Sequence, residues 1–356
     1  MKELVKGMVL ERDIFISEHN RKLLLAKDTI LTSRQIELLK IHGVKSVYVA
    51  GEKEPERIFA TPPSPTIPHQ LRDSILQNLA ELFDFFRQDE QDKDKVLRMF
   101  RQLDALVDQL VLYLQMDKNS QVHIADIKSY DEYTYHHSLS VAVLAIAIGQ
   151  ALKLEERQLH VLGKCAIMHD IGKVAIPMDI LDKPSHLNKI ELSIIKRHAL
   201  QGYHCLKKYH ENDHELLSAV LFHHERYDGN GYPYGLKEDK IPLFSRIIAV
   251  ADVYDALTSH RTYRKPESPG GAVEYIMGNV GAAFDQDIIC AMLKKLEFYP
   301  VGSVVRLSNG QKAVVTDNNH VLRPTLKLLK TGAMLDLHRD LNCLNLTIKN
   351  ILLFGT

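Results

Sequence analysis

The stretch "HHERYDGNGYP", His223 to Pro233, sets two adjacent histidines, two acids and an arginine directly against a rigid Gly-Tyr-Pro turn. By itself it reads either as a charged helix end running into a surface loop or as one wall of a metal site. Adjacent histidines reach one ion only where the backbone turns between them, because in mid-helix they diverge by about 100°. The choice therefore rests on what the rest of the chain offers.

Working outward, four further segments supply histidines or acids. "YTYHHSLSV" holds His136 and His137 near the start of an apolar helix, and "CAIMHDIGK" closes another with His169 and Asp170, followed by Gly172 and Lys173. "IIKRHALQGYHCL" carries His198, and "RIIAVADVYDALTS" sets Asp252 inside an otherwise apolar helix. A lone histidine at a helix end is ordinarily a cap or a satisfied core group. An acid in an apolar helix is costly to bury without a partner. Taken together, imidazoles and carboxylates with no cysteine suit a hydrolytic transition-metal site that keeps exchangeable water. Two ions about 3.5–4 Å apart, bridged by a carboxylate beside a histidine, suit phosphoester hydrolysis.

Composition sets the outer limits. A chain of 356 residues has room for two or three domains, one of them able to enclose a buried site. Lysine plus arginine equals aspartate plus glutamate at 45 each, so there is no bulk positive charge for a nucleic-acid polymer or an acidic membrane. The longest apolar run, "VAVLAIAIG" (Val141–Gly149), is about half of a bilayer span. The N-terminus has no apolar core of signal-peptide length. Cys165, Cys205, Cys290 and Cys343 have no CxxC spacing and read as reduced thiols, which fits a cytoplasmic protein.

Residues 1–52 read as a small α+β module. "MVLERDIFI", "KLLLA" and "KSVYVA" are its strands and "TSRQIELLKIHG" its helix, with a Thr32/Gln35 capping box and Gly43 as the stop. A polar, proline-rich linker follows, over 53–69. Residues 70–118 carry two amphipathic stripes, Leu71, Ile75, Leu79, Leu82, Phe86 and Met99, Leu103, Leu106, Leu110, Leu114. They offer more apolar face than a small module covers, which predicts a homodimer. Helical periodicity continues to 297, and 298–356 reads as a β-rich segment of short strands.

The order His…His-Asp…Asp resembles the HD phosphohydrolase superfamily. The motifs "HDIGK", "HHERYDGNGYP" and "ADVYDALTSHRTYR" are similar to those of its HD-GYP branch, bacterial cyclic di-GMP phosphodiesterases, over roughly 120–297. The resemblance implies a mainly α protein, an all-helical HD-type domain over 119–297 flanked by the α+β module and the β-rich segment. It implies two divalent transition-metal ions, iron or manganese. One would be held by His137, His169, Asp170 and Asp252, the other by His198, His223 and His224, with Asp170 bridging both. A hydroxide activated by the two metals would open the phosphodiester of cyclic di-GMP, giving linear pGpG or GMP. Lys173 would neutralise charge growing on the phosphate, Arg261 and Arg264 would contact phosphate or guanine, and Asp131 and Asp255 would contact guanine. The Gly229–Pro233 turn would support the site and offer a surface to a protein partner.

Glu225 and Arg226 read as supports of the site. His136 points about 100° away from His137 on a helix, and His204, His210 and His214 read as ordinary core or surface histidines. Some relatives hold a third ion with a glutamate four residues before the first histidine ligand. Tyr133 occupies that place here and Glu132 is one residue out of phase, which predicts two ions. Two other readings stay open: a cyclic-dinucleotide sensor or scaffold without catalysis, and a phosphodiesterase for a related dinucleotide such as cyclic GMP-AMP.

Overall fold

In a computed structural model of the chain, the apolar run Val141–Gly149 lies within a helix, α4 (Tyr133–Ala151), buried on every side from Leu139 to Ile148. A helix that is apolar all round belongs in an interior, and the remaining elements are arranged to cover it. The structure describes residues 8–10, 14–15, 23–26, 29–41, 44, 67–88, 92–116, 122–123, 133–181, 183, 185–259 and 266–353. Two compact units divide the chain, Met1–Ala60 and Thr61–Thr356.

In the first unit β1 (Ile14–Phe15) pairs antiparallel with β2 (Leu23–Leu25), and α1 (Ser33–Ile41) follows. The helix starts where Thr32 and Gln35 exchange hydrogen bonds. The Gln35 amide donates to Thr32 Oγ1 at 3.3 Å, and the Thr32 amide donates to Gln35 Oε1 at 2.8 Å. Leu10, Leu31 and Leu39 form its small core. The third strand expected at "KSVYVA", the stop at Gly43 and nearly all of the proline-rich segment lie outside the described residues.

The second unit has one continuous apolar core. Its helices are α2 (His69–Arg87), α3 (Lys93–Met116), α4, α5 (Glu156–Met168), α6 (Met178–Leu181), α7 (Lys189–Lys196), α8 (His198–Lys207), α9 (His214–Phe222), α10 (Leu243–Thr258), α11 (Pro269–Met277) and α12 (Gln286–Lys295). The stripes of α2 and α3 pack on each other and on α4 and α5. Phe86 and Leu106 are only partly buried at the rim of these stripes. The expected homodimer rested on uncovered apolar faces. Here α4 needs neighbours on all sides, and α2 and α3 supply them from the same chain. Among the described residues, no helix is long and apolar enough to cross a membrane.

A short parallel ladder, β3 (Val122–His123) with β4 (Leu296–Glu297), joins the entry and exit of the helical region. Beyond it, β5 (Val304–Leu307), β6 (Lys312–Asp317), β7 (Thr325–Leu328), β8 (Met334–Asp336) and β9 (Ile348–Leu353) form an antiparallel sheet in the order β8-β7-β6-β5-β9. Alternate residues, among them Val305, Leu307, Ala313, Val315, Leu326 and Leu328, point into the common core, as a half-buried sheet requires.

Candidate metal centre

Three of the histidines stand at helix junctions. His169 caps the end of α5, His223 caps the end of α9, and His198 opens α8 directly after α7. Helix ends leave carbonyl groups unpaired, and each ring turns back onto one three residues earlier. His169 Nδ1 donates to Ala166 O, His198 Nδ1 to Ile195 O and His223 Nδ1 to Val220 O, each at 2.7 Å. A carbonyl can only accept, so the proton is on Nδ1 and the Nε2 lone pair faces away from the helix end. His137, in the first turns of α4, reaches the same arrangement by another route. Its Nδ1 lies 2.7 Å from Asp255 Oδ2, with both groups buried.

The Nε2 atoms of His137, His169 and His198 converge on the Asp170 and Asp252 carboxylates. Asp170 Oδ2 lies 3.6 Å from His137 Nε2 and 3.3 Å from His169 Nε2, while Asp170 Oδ1 lies 3.3 Å from His198 Nε2. One carboxylate thus presents an oxygen to each of two groups, His137–His169 on one side and His198–His223–His224 on the other. Asp252, on α10, joins the first through a 3.1 Å approach to His137 Nε2 and stands 4.0 Å from His224 Nδ1. The His198 and His223 Nε2 atoms face each other at 3.1 Å. With both protons on Nδ1, two lone pairs meet there, an arrangement that a cation between them resolves. Two nitrogens on one ion at ~2.1 Å stand about 3.0–3.4 Å apart at angles between square and tetrahedral. The donor set, nitrogen and oxygen without sulfur, fits divalent transition metals.

Two glycines let these pieces meet. Asp170 leads into a 3-10 turn, Ile171–Ala175, that lies flat on α8. A Cβ on Gly172 would stand 2.0 Å from the His198 carbonyl oxygen and 2.3 Å from the Gly202 nitrogen. Any larger residue would push Asp170 and His198 apart. On the other side, a Cβ on Gly231 would meet the Arg226 nitrogen at 2.3 Å, so the loop can cross the chain just after His224 only as glycine.

The electrostatics suit ligands awaiting a cation. Burial lowers the pKa values of His198, His223 and His224, that of His224 to about 3, so these rings stay neutral. Burial acts on His137 in the same direction, but hydrogen bonds to Asp252 and Asp255 outweigh it and push its pKa up to about 9. Burial would raise Asp170, yet Lys173, then His169 and His198, hold it well below the ordinary carboxylate range. Asp252 is likewise held low against its burial, by His137 and His224. Lys173 Nζ sits on Asp170 Oδ2 at 2.5 Å, a partly exposed cation at the edge of the buried charge.

Not every expected site residue is placed here. Asp131, Arg261, Arg264, Glu132 and the Tyr133 side chain lie outside the described residues. Asp255 is in the interior, 3 % exposed beneath His137, rather than on the surface where a guanine edge would meet it. One helical turn separates it from Asp252, so both carboxylates face the same way. That spacing was the available sign. His136, His204, His210 and His214 stand apart from both clusters, and His210 packs edge-on against Phe100 at 4.3 Å.

The Gly229–Pro233 turn is tied to the site by Glu225, read from the sequence as a support, and by Tyr232, whose part the sequence did not show. Glu225, 3 % exposed, accepts from the amides of Tyr234 (2.8 Å), Gly235 (3.1 Å) and Leu236 (3.0 Å). The Tyr232–Pro233 bond is cis, and the Tyr232 ring stacks on His224 with centroids 4.7 Å apart. Burial pushes the Tyr232 phenol above its ordinary range. Arg226 is occupied with Asp228 through contacts of 3.2 and 2.8 Å.

Residues 121–288 match the family model described as HD domain. Among curated relatives, the chain is 36% identical to the cyclic di-GMP phosphodiesterase PA4108 of Pseudomonas aeruginosa, over 63% of this chain and 54% of that one. It is 39% identical to the cyclic di-GMP phosphodiesterase response regulator RpfG of Xanthomonas campestris pv. campestris, over 41% of this chain and 39% of that one. It is 34% identical to the 3'3'-cGAMP-specific phosphodiesterase 3 of Vibrio cholerae, over 53% of this chain and 40% of that one. The chain thus spans only 39% to 54% of the length of these relatives. Among solved structures, Bd1817, an HDG"Y"P protein from Bdellovibrio bacteriovorus, shares the fold with a TM-score of 0.50 at 15% identity, over 81% of this chain and 93% of that one.

Proposed function

We propose that this chain, which belongs to the HD-GYP family of HD-domain proteins, is a metal-dependent phosphodiesterase that opens cyclic di-GMP to linear pGpG or GMP. One observation carries the reading: four histidines have their Nδ1 tied to an oxygen, and the Nε2 atoms of His137, His169 and His198 approach Asp170 from two sides while that of His223 faces His198 Nε2. His137, His169, Asp170 and Asp252 would hold one divalent ion, and His198, His223 and His224, with Asp170, would hold the second. Iron and manganese both suit this donor set. When bound, such ions supply the Lewis acidity that activates water and polarises a phosphoryl oxygen.

The chain's own residues do the rest. Asp170 is kept ionised and offers one oxygen to each side, which fixes the spacing of the two positions. Asp255 orients the His137 ring and keeps its Nε2 toward the centre, while backbone carbonyls do the same for His169, His198 and His223. Tyr232, locked on His224 by the Glu225-anchored loop, walls the centre against bulk water. Lys173, at the rim, releases Asp170 and turns to the scissile phosphate, where it offsets the growing negative charge. Arg261 and Arg264 bind phosphate or guanine, a use that suits the planar guanidinium fork. The proposal includes a cytoplasmic location and a protein partner at the Gly229–Pro233 turn.

A related substrate, cyclic GMP-AMP, is a second reading, favoured by the 34% identity to the Vibrio cholerae relative of that specificity. The test is hydrolysis by protein purified anaerobically and loaded with iron or manganese, with products resolved by chromatography. Cyclic di-GMP should be consumed faster than cyclic GMP-AMP. Failure of folded, metal-loaded protein to consume either nucleotide would refute the assignment.

A further inference from the structure

Helices α5 and α9 each end on a histidine of the metal centre, and the two histidines belong to different clusters. His169 caps α5 and stands with His137 and Asp170, while His223 caps α9 and stands with His198 and His224. Their ring centroids are 5.1 Å apart. How α5 lies against α9 therefore sets how one cluster lies against the other. The two helices pack on each other, and no charged residue is among those they bury. Apolar burial is non-directional. It holds the pair together without choosing where along α5 the start of α9 must stand.

One side chain makes that choice. Lys164, its side chain 15 % exposed, reaches from α5 to Asp213 Oδ2 at 3.4 Å and to Asp104 Oδ1 on α3 at 3.2 Å. Asp213 is the N-cap of α9, and its Oδ1 accepts from the Leu216 amide at 3.1 Å. The ammonium is thus tied to the first turn of α9 through a carboxylate that the helix itself holds. A second pair, His160 of α5 with Asp108 of α3, lies one turn away from Lys164–Asp104 on both helices. Two contacts one turn apart define the register of α5 on α3, and Lys164 carries it across to α9. Exchanging buried ion pairs for apolar groups of similar volume is often neutral for stability. What this pair contributes is position.

We infer that Lys164 is a positioning residue of the metal centre: by fixing α9 against α5 and α3 it sets the separation of the His169 and His223 clusters. The inference rests on the reading of a two-ion centre. Lys164 precedes His169 by five residues and Asp213 precedes His223 by ten, so both act through their helices. A pair of ions about 3.5–4 Å apart tolerates errors of only about 0.5 Å in the placement of its ligands.

Electron paramagnetic resonance of the whole chain titrated with manganese tests this without turnover. Two manganese ions at bridging distance couple magnetically, and their spectrum differs from that of isolated ions. The unaltered chain should show the coupled spectrum once two equivalents are bound. Lys164→Met keeps the unbranched stem and removes the charge. It should weaken the second equivalent about tenfold, the lower end of what losing an outer partner costs a metal site, and shift the spectrum toward isolated ions. The metal-free melting temperature should change little, and Lys164→Arg should restore the coupled signal. Asp213→Asn retains the cap on α9 and should reproduce the Lys164→Met spectrum; it decides the matter if the methionine variant does not fold. A coupled spectrum and a second-ion affinity that both substitutions leave unchanged would overturn the role of Lys164 alone. A lower melting temperature with an unaltered spectrum would do the same and mark the residue as structural. Absence of a coupled pair in the unaltered chain would refute the two-ion reading, and the inference with it.

Discussion

Replacing Asp255 by asparagine separates two roles for that residue. Its Oδ2 lies 2.7 Å from His137 Nδ1, with side-chain exposures of 4 % and 1 %. Asparagine keeps an acceptor of the same shape but removes the charge that makes His137 Nε2 a strong donor to an ion. A hydrogen bond to a charged group contributes about 1.5–3 kcal/mol. Loss of a carboxylate behind a metal-bound histidine costs roughly 10–100-fold in metal affinity, which corresponds to about 1.4–2.8 kcal/mol, so the two figures agree. Competition of the protein with a fluorescent chelator for manganese should therefore show one class of site weakened 10- to 100-fold. The sites made by His198, His223 and His224 should be little changed. If Asp255 contacts guanine instead, the variant will raise KM for cyclic di-GMP with metal affinity within about twofold of the unaltered protein, and the reasoning fails.

Glu225→Gln keeps one acceptor oxygen but turns an amide group toward a backbone donor, so at least one of three loop contacts is lost. The cost should be about 1.5–3 kcal/mol, seen as a drop in melting temperature on the order of 5 °C. Lys173→Met removes the ammonium that neutralises buried Asp170. The variant should melt lower than the unaltered chain when both are metal-free and recover on adding manganese, while turnover of cyclic di-GMP stays reduced. A deficit that persists in the loaded protein would mark Lys173 as structural. For the metal-free chain, stability should be greatest near pH 6.5. His137, raised to about 9, contributes stability that is complete below 6.5 and is lost as pH rises through 9. His198, His210, His223 and His224, all lowered from 6.5, remain neutral when folded but take up protons when unfolded. Stability therefore falls as pH drops below 6.5. Melting curves across pH 5–10 check both arms, and bound manganese should flatten the alkaline one because the ion replaces the proton on His137.

How much of this was legible in the sequence differs from element to element. The clustering of His137, His169, Asp170, His198, His223, His224 and Asp252 followed from residue type and motif order, because so many donors set among apolar helices need a common cation. The anchoring of Nδ1 on carbonyls three residues back was not legible. It depends on each histidine standing just past a helix end, and such boundaries are the least certain feature of a periodic pattern. Asp255 was misplaced because an aspartate one turn from a ligand looks the same from sequence whether it faces substrate or braces a histidine. The stripes of α2 and α3 were visible, but amphipathicity shows that a face is buried without showing against what. Their cover is α4 and α5 of the same chain, which removes the argument for a dimer. Tyr232 is brought onto His224 by a loop with a cis Tyr232–Pro233 bond, a backbone geometry that no local pattern encodes.

The most direct test of the central claim is anomalous diffraction from crystals grown with manganese, measured with the metal count per chain. The account predicts two ions, one within reach of His137, His169 and Asp252, the other within reach of His198, His223 and His224, with an Asp170 oxygen on each. A single ion, a third ion held elsewhere, or two ions that do not share Asp170 would contradict it.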